Sequence, residues 1–371
     1  MQSNPWIRNI PVYEPGRPIE EVARELGLDD IEDILKVASN ENELGPSPLA
    51  IEAMHKAAAT MHRYPDGGCF YLKQKLAAKL GVQPENLLFG NGSNELIEFL
   101  GHVYLGPGHH LVMSEMAFVV YRLVAALFNA EVTAVPMRDF MHDLDAMRDA
   151  VTPETRLVAV CNPNNPTGTS VAPDRLVRFL DELPEHVLAV VDEAYIELMP
   201  EKDRPDLIRE IRDGRRNLVV LRTFSKAYGL AGLRLGYAVA DAGLIAMLEH
   251  VRQPFNANAM AQAAAMAALD DEAHMVRSCR LVEEGLAFFA RELDALDIPY
   301  VPSSANFILI KTGNGREMCA ALQQRHVITR PMNGYGLPDW IRITLGTAAQ
   351  NARVISAIQS ALPLQSTKQF V

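Results

Sequence analysis

The chain has 371 residues, a length that favours two domains over one ordinary core. Apolar residues make up 49% of it and charged residues 22%, as in a well-packed globular protein. The formal net charge of -11 argues against nucleic acid or an anionic membrane surface as a partner. The first 18 residues lack a cationic stretch followed by a long apolar one, and no run approaches membrane-spanning length, so we expect a cytoplasmic protein.

The cysteines give no sign of a metal centre or a disulfide framework. Cys69, Cys161, Cys279 and Cys319 lie far apart, without a C-x-x-C pair or a histidine at ligand spacing. We interpret them as reduced thiols, partly in apolar cores, and we expect no metal site.

Residues 1–44 are predicted to form an irregular arm. The segment is rich in proline and glycine, which is also typical of a disordered tail. Its aromatic and apolar side chains, such as Trp6, Ile7 and Tyr13, favour docking over disorder. We therefore expect an N-terminal arm that packs on the small domain and on a partner subunit.

Two helices with clear boundary signals follow the arm. Ser47 is a good cap residue and Pro48 suits the first helical position, so a helix is expected to begin there. A turn rich in proline and glycine surrounds Tyr64, whose side chain could simply fill that turn. A second helix is expected at about 70–80, because a glycine follows it.

Short apolar runs alternate with amphipathic helices from about Leu87 to Ala240. Continuous apolar runs indicate strands buried on both faces, hence a mostly parallel sheet flanked by helices. We expect this α/β sheet in a large cofactor-binding domain at 45–270. A long helix and a strand, helix, strand, strand, helix pattern then predict a small α+β domain at 271–371.

Polar residues stand just beyond four of the predicted strands. Open α/β sheets bind ligands at this edge, so their coincidence at several strand ends indicates a ligand site. The residues are Ser93 and Asn94 after the run 87–89, Asn165 after 157–161, Asp192 and Tyr195 after 187–191, and Thr223, Ser225 and Lys226 after 217–221.

These groups match the needs of pyridoxal phosphate. A lysine can form a Schiff base with an aldehyde, and a carboxylate can pair with a pyridinium nitrogen. Lys226 is the candidate for the first role, although a lysine past a strand is more often a solvated edge charge. Asp192 is the candidate for the second, because an aspartate ending so apolar a strand either caps a turn or needs a cationic partner.

The phenolic oxygen and the phosphate of this cofactor need further groups. Tyr195 and Asn165 suit the oxygen, although Asn165 in Asn-Asn-Pro-Thr-Gly also suits an ordinary turn. The glycine-rich helix start at Ser93 and Asn94 offers backbone N–H groups to a phosphate. The other candidates for the phosphate are Ser225, Arg234 and Thr223.

Three more side chains have two open interpretations each. Phe118 could stack on the cofactor ring or belong to an apolar core. Arg342 alternates with apolar neighbours in a predicted strand, so it faces either water or a cleft in which it would bind a carboxylate. Arg330, at the end of the preceding strand, poses the same choice.

Several motifs follow one another in a specific order along nearly the whole chain. They are Tyr13-Glu14-Pro15-Gly16, Ala38-Ser39-Asn40-Glu41-Asn42, Arg63-Tyr64-Pro65-Asp66, Asn162-Pro163-Asn164-Asn165-Pro166-Thr167-Gly168, Asp192-Glu193-Ala194-Tyr195, the stretch 223–236 with Lys226 and Arg234, and Arg330-Pro331-Met332 with 341–344. In this set the chain resembles the fold-type I pyridoxal-phosphate aminotransferases, and within them the histidinol-phosphate aminotransferases.

The resemblance implies a homodimer with active sites at the subunit interface. Tyr64 matches a tyrosine that reaches the cofactor phosphate of the neighbouring subunit. Tyr13 and Arg330 match residues beside the substrate's side-chain phosphate. Arg342 matches the ligand of the α-carboxylate, and Asn40 belongs to a motif that we assign to substrate binding. The implied reaction exchanges an amino group between L-histidinol phosphate or imidazole acetol phosphate and 2-oxoglutarate or glutamate, in histidine biosynthesis.

Glu43 departs from the family pattern, which usually has proline at this position. We expect its negative charge beside the substrate entrance, where it would weaken the binding of a doubly anionic substrate.

Two other activities of the same scaffold stay open. One is an aromatic amino-acid aminotransferase that accepts phenylalanine or tyrosine. The other is a pyridoxal-phosphate decarboxylase of a phosphorylated amino acid, which needs no 2-oxoglutarate. A non-enzymatic regulator that binds the cofactor would need a DNA-binding appendage, and the sequence has no segment of that kind.

Overall fold

The computed structural model describes residues 4–12, 16–28, 30–31 and 33–366. Its α-helices are α1 Ile19–Leu26, α2 Pro48–Ala58, α3 Phe70–Leu80, α4 Ser93–Tyr104, α5 Val120–Leu127, α6 Leu144–Asp149, α7 Pro173–Glu182, α8 Leu207–Arg212, α9 Ala242–Glu249, α10 Ala259–Ala268, α11 Glu272–Ala295, α12 Gly315–Gln323 and α13 Ala348–Ser366. Its strands are β1 Leu35–Lys36, β2 Leu87–Gly90, β3 His110–Ser114, β4 Glu131–Val135, β5 Thr155–Cys161, β6 Leu188–Asp192, β7 Leu218–Thr223, β8 Gly236–Ala240, β9 Tyr300–Val301, β10 Phe307–Lys311, β11 Val327–Ile328, β12 Arg330–Pro331 and β13 Trp340–Thr344.

The strands of the described residues form three sheets. The large sheet has the order β2-β8-β7-β6-β5-β3-β4, in which the pairs from β7 to β4 are parallel and β8 is antiparallel to both its neighbours. The small sheet is antiparallel and has the order β12-β13-β10-β9. β1 pairs with β11 in parallel. The large sheet is therefore the mostly parallel sheet that the sequence predicts.

Both faces of the large sheet are covered, which explains the continuous apolar runs of its central strands. Val190 of β6 and Leu221 of β7 lie on the face that packs against α4, α5 and α9, here called the front face. Val191 and Val220 lie on the opposite face, against α3, α7, α8 and α10, here called the back face. Successive residues of a strand alternate between these faces.

The predicted start of α2 and the predicted range of α3 are confirmed. Ser47 Oγ accepts a hydrogen bond from the backbone N–H of Ala50 at 3.1 Å, and Pro48 is the first residue of α2. α3 ends before Gly81, whose φ of +67° is a left-handed conformation that glycine adopts without strain. Local capping signals were sufficient to predict both helices.

The prediction of an irregular arm is wrong for the middle of that segment. α1 begins after Pro18 and ends before Gly27, and its buried residues Val22 and Ala23 pack in one cluster with Ile328 of β11. The helix has 8 residues and a single buried stripe. Such a short helical period is hard to distinguish among the prolines and glycines around it.

The small sheet packs against the carboxyl edge of the large sheet. Phe307 of β10 and Ile343 of β13 share a core with Phe289 of α11 and Ile358 of α13. The same core includes Tyr195, which follows β6. The two sheets therefore meet at the edge where the sequence predicts a ligand site.

The division into an arm at 1–44, a large domain at 45–270 and a small domain at 271–371 stays a prediction. The strands of the large sheet lie within 87–240 and those of the small sheet within 300–344, on the two sides of the predicted boundary. In the part of the chain that the structure describes, no helix is both long and apolar enough to cross a membrane.

Candidate active site

A cavity of about 200 Å³ lies where the carboxyl edge of the large sheet meets the small sheet. β2, β5, β6 and β7 all end at this edge, because β8 between β2 and β7 is antiparallel to both. The cavity brings together most of the residues that the sequence predicts as a site. Those that line it are Asn40, Ser93, Asn94, Phe118, Asn165, Asp192, Tyr195, Thr223, Ser225, Lys226, Arg234, Arg330 and Arg342.

Lys226 enters the cavity from the turn that follows β7. Its Nζ donates hydrogen bonds to the backbone oxygens of Ser39 at 3.3 Å and Asn40 at 3.2 Å. Burial, together with the charges of Arg342 and Arg234, lowers the pKa of Lys226 to about 8. A lysine with this pKa is partly neutral near pH 7 and can act as a nucleophile and a proton carrier. The structure excludes the alternative of a solvated edge charge.

Asp192 ends β6 with its carboxylate buried on the front face. One oxygen, Oδ1, accepts a hydrogen bond from the backbone N–H of Ala194 at 3.2 Å. The other, Oδ2, accepts one from the Tyr121 hydroxyl at 3.3 Å. Burial raises the pKa of Asp192 to about 6, against the lowering effect of these two donors. The site thus holds a carboxylate that a cation would stabilise in its charged form.

Asn40 fixes the hydroxyl of Tyr195. Its Nδ2 donates to Tyr195 Oη at 2.9 Å, and its own backbone N–H donates to Thr344 Oγ1 at 2.9 Å. Asn40 is buried and has a φ of +56°, a conformation that asparagine tolerates better than most residues. Burial raises the pKa of Tyr195, so its phenol stays protonated and can donate.

A glycine keeps the start of α4 open to Arg234. A Cβ added to Gly92 would lie 2.6 Å from Arg234 Nη2, and Gly92 has a φ of +79°. Arg234 Nη1 lies 3.5 Å from Ser225 Oγ. The first backbone N–H groups of a helix have no partner within it, so those at Ser93 add donors to this corner. A hydroxyl, a guanidinium group and a helix start together form an anion-binding corner.

The residues present fit pyridoxal phosphate. The anion-binding corner suits its phosphate, the buried Asp192 its ring nitrogen, and Lys226 its aldehyde. The same cavity therefore offers a matching group for each end of the cofactor.

The structure resolves the open question about Arg342, which faces the cavity. Its Nη1 donates to Asn165 Oδ1 at 2.5 Å and its Nη2 to the backbone oxygen of Ala38 at 2.9 Å. Its guanidinium carbon lies 5.2 Å from the centre of the Phe307 ring. Arg330 is its register partner on β12 and lines the same cavity. Both arginines are therefore placed at the ligand cavity.

The position of Phe118 is compatible with both of its interpretations, whereas Tyr64 does not line the cavity. Phe118 lines the cavity and also packs against the front-face core. Tyr64 is 83% exposed, and its ring stacks on Phe255 at a centroid distance of 4.7 Å. Tyr13 lies outside the described residues.

Glu43 does not line the cavity. Its Oε2 accepts a hydrogen bond from Gln350 Nε2 at 2.8 Å, and burial raises its pKa. The carboxyl group that the sequence suggested at the substrate entrance is directed towards α13 instead.

Sequence reasoning missed two tyrosines of the site. Tyr121 donates to Asp192, and Tyr335 lines the cavity on the side of the small sheet. The flanking glycines of Tyr335, soon after Arg330, were a weak signal for it. Tyr121 had no comparable signal, because its contact depends on how α5 packs on β6.

The chain is similar to characterised protein families along nearly its whole length. Residues 32–358 match the family model of aminotransferase class I and II. The histidinol-phosphate aminotransferase of Moorella thermoacetica is 46% identical over 357 residues, which are 96% of this chain and 92% of that protein. The histidinol-phosphate aminotransferase of Akkermansia muciniphila is 45% identical over 361 residues, 97% of this chain and 98% of that protein.

A solved structure agrees with this similarity. The crystal structure of histidinol-phosphate aminotransferase from Sinorhizobium meliloti in complex with pyridoxal-5'-phosphate has a TM-score of 0.88, with 28% identity and 98% of both chains covered. This agreement confirms the fold that the sequence predicts.

Proposed function

The chain belongs to aminotransferase class I and II, and we propose that it uses pyridoxal phosphate to exchange an amino group between L-histidinol phosphate and 2-oxoglutarate. The products are imidazole acetol phosphate and glutamate, a reaction of histidine biosynthesis. The observation that carries the proposal is the charge arrangement of the cavity, which holds Lys226 and Asp192 together with Arg234, Arg330 and Arg342. We assign Arg234 to the cofactor phosphate and the other two arginines to an anionic substrate.

We assign the proton transfers to Lys226. When bound, pyridoxal phosphate supplies an electron-poor ring that stabilises negative charge at the substrate's α-carbon. Lys226 would hold the cofactor through Nζ and, once displaced by the amine of the substrate, would move a proton at that carbon, for which its lowered pKa is suited. Asp192 would accept a hydrogen bond from the ring nitrogen and keep it protonated.

The remaining groups orient the cofactor. Asn165 Oδ1 already accepts from Arg342, so its NH2 group is left to donate to the ring oxygen, beside Tyr195. Phe118 would stack on the ring face. Ser93, Asn94, Thr223, Ser225 and Arg234 would hold the phosphate.

The two arginines of the small sheet select the substrates. Arg330 and Arg342 are register partners, so their side chains leave the sheet on the same face. We assign Arg342 to the α-carboxylate of glutamate, and Arg330 with Tyr13 to the side-chain phosphate of histidinol phosphate. Asn40 completes the substrate side.

The active unit of this proposal is a cytoplasmic homodimer. Tyr64 then reaches the cofactor phosphate of the neighbouring subunit. Its surroundings support an interface, because Phe70 is 57%, Tyr71 74% and Phe255 45% exposed in the single chain. Exposed aromatic side chains in one region are typical of a protein contact.

Half-reactions with single amino donors test the function. The cofactor-loaded protein is mixed separately with L-histidinol phosphate, glutamate and phenylalanine, and the absorbance of the bound cofactor is followed. We expect rapid conversion by the first two compounds and a far slower one by phenylalanine.

Each alternative activity gives a different result. If phenylalanine matches or exceeds histidinol phosphate, the protein is an aromatic or broad-range aminotransferase. Release of carbon dioxide from a phosphorylated amino acid, without 2-oxoglutarate, would indicate a decarboxylase. A protein that shows no absorbance of bound cofactor would contradict all of these activities.

A further inference from the structure

A buried ion pair lies directly behind the cofactor site. Asp192 and Thr223 continue the front-face pattern of β6 and β7 and line the cavity. Glu193 and Arg222 are their immediate neighbours in the chain, so strand alternation directs them to the back face. The site residues and the ion pair are thus on opposite faces of the same two strand ends.

The pair has the geometry of a rigid clamp. Arg222 Nε and Nη2 both lie 2.8 Å from Glu193 Oε2. The side chain of Glu193 is fully buried and that of Arg222 is 14% exposed. A fork of two N–H donors on one carboxylate fixes both side chains in distance and direction.

A backbone hydrogen bond also joins the two strands beside the ion pair. The N–H of Glu193 donates to the backbone oxygen of Leu221 at 2.8 Å, which extends the pairing of β6 with β7 past the end of β6. Arg222 is the register partner of Tyr237 on β8. The clamp therefore links the strand that carries Asp192 to the strand that leads into Lys226.

We propose that the Glu193–Arg222 ion pair positions the cofactor site by fixing the spacing between Asp192 and the turn that carries Thr223 and Lys226. The proposal rests on the function proposed above. Neither member of the pair touches the cofactor, because both face away from the cavity. Their effect is transmitted through one peptide unit on each strand.

Arg222→Met is the first test, and it uses the cofactor-loaded protein. A small misplacement of reacting groups costs on the order of 10- to 100-fold in rate, so we expect kcat to fall by about that factor with little change in KM. We also expect the dissociation constant of pyridoxal phosphate, measured by fluorescence titration, to rise about tenfold.

Arg215→Met is the matched control. Arg215 precedes the opposite end of β7, and it also holds a carboxylate, Glu210, at 2.9 Å, with its side chain 17% exposed. We expect this variant to lower Tm without changing cofactor affinity or kcat. If Arg215→Met and Arg222→Met change cofactor affinity equally, the pair acts only through general stability and the proposal is wrong.

The double variant Glu193→Gln, Arg222→Met separates positioning from the burial of an unpaired charge. Removing one partner leaves the other charge uncompensated, whereas removing both often restores stability. We expect the double variant to regain Tm while its cofactor affinity and kcat stay low. Recovery of all three quantities would overturn the proposal. A wild-type protein that binds no pyridoxal phosphate would instead refute the proposed function.

Discussion

Lys226 is reactive because its environment makes its charged form unfavourable. The pKa of its ammonium group falls from 10.5 to about 8 in the cavity. Between these values the unfolded chain binds more protons than the native protein, so stability rises with pH across that window, and the penalty is fully present below pH 8. At pH 7 we expect Lys226→Met to raise the free energy of unfolding of the cofactor-free protein by up to about 3 kcal/mol.

Urea unfolding of the wild type and of this variant, both without cofactor, measures the effect. The gain of the variant should be largest at pH 7 and should shrink as the pH rises towards 10.5, the pKa of lysine in the unfolded chain, above which the proton is lost in both states. A variant that is less stable than the wild type at both pH values would mean that Lys226 contributes more through packing than it costs through desolvation.

Tyr121 supports the charge of Asp192. Its hydroxyl donates to the ionised carboxylate, so Tyr121→Phe should raise the pKa of Asp192 above its value of about 6. A hydrogen bond to a charged group is worth about 1.5–3 kcal/mol, so we expect kcat/KM to fall by about tenfold or more. The loss should be greater at pH 6 than at pH 8, because more Asp192 is protonated at the lower pH.

A pH–rate profile with a second tyrosine variant checks this assignment. Tyr104 packs half-buried beside the same front-face core as Tyr121, which is the tyrosine hydrogen-bonded to Asp192. Tyr104→Phe should leave the profile unchanged. An acid limb that stays in place in Tyr121→Phe would show that Ala194 alone keeps Asp192 ionised.

At the scale of residues, the sequence predicted the groups whose chemistry is unusual for their position. Lys226, Asp192 and Asn165 stand at or just beyond the ends of apolar strands, where burying a polar side chain without a partner costs free energy. Tyr121 was out of reach because its partner is 71 residues away and a tyrosine on an apolar helix also suits a core. The direction of Arg342 was open because strand alternation gives two faces and does not say which one meets a cavity.

At the scale of elements, the start of α4 needs a glycine at position 92 for two reasons. The backbone there is left-handed, and Arg234 needs the space beside it to reach the anion-binding corner. Gly92→Ala would place a Cβ 2.6 Å from Arg234 Nη2 at a φ of +79°. The guanidinium group must then move away from the anion-binding corner. Losing one charge-assisted hydrogen bond should weaken pyridoxal-phosphate binding by about tenfold.

Gly27→Ala is the control for backbone strain. Gly27, the residue after α1, also has a left-handed conformation, with a φ of +67°. A Cβ added there would meet no atom within 4 Å. We expect it to cost about 1 kcal/mol of stability and to leave cofactor affinity unchanged. Equal cofactor affinities in the two variants, measured by titration, would contradict the steric role of Gly92.

The elements that the sequence predicted well are those with strong local signals. Capping residues predicted the boundaries of α2 and α3, and continuous apolar runs predicted β5, β6 and β7. The sequence did not predict α1, because its local signal is weak. Its few apolar residues are recognisable as a buried stripe only from their contact with β11. The cavity itself is a property of two sheets in contact, which no single segment encodes.

At the scale of the whole molecule, the position of Tyr64 bears on assembly. Its side chain is 83% exposed and stacks on Phe255, away from the cavity of its own chain. If Tyr64 serves the partner's site, Lys226→Ala in one subunit and Tyr64→Ala in the other fall in the same site of a mixed dimer. One site of that dimer then holds an intact Lys226 and an intact Tyr64.

Mixing the two variants under conditions of subunit exchange tests this arrangement. Random pairing of equal amounts makes about half of the dimers mixed, so about a quarter of the sites regain wild-type composition. We expect turnover to rise towards that fraction of the wild-type rate, with Lys226→Ala inactive alone. If Tyr64 acted within its own chain, every site would keep one defect, and turnover would stay at the average of the two separate variants. Size-exclusion chromatography of each variant provides the control, because both must remain dimers for the comparison to hold.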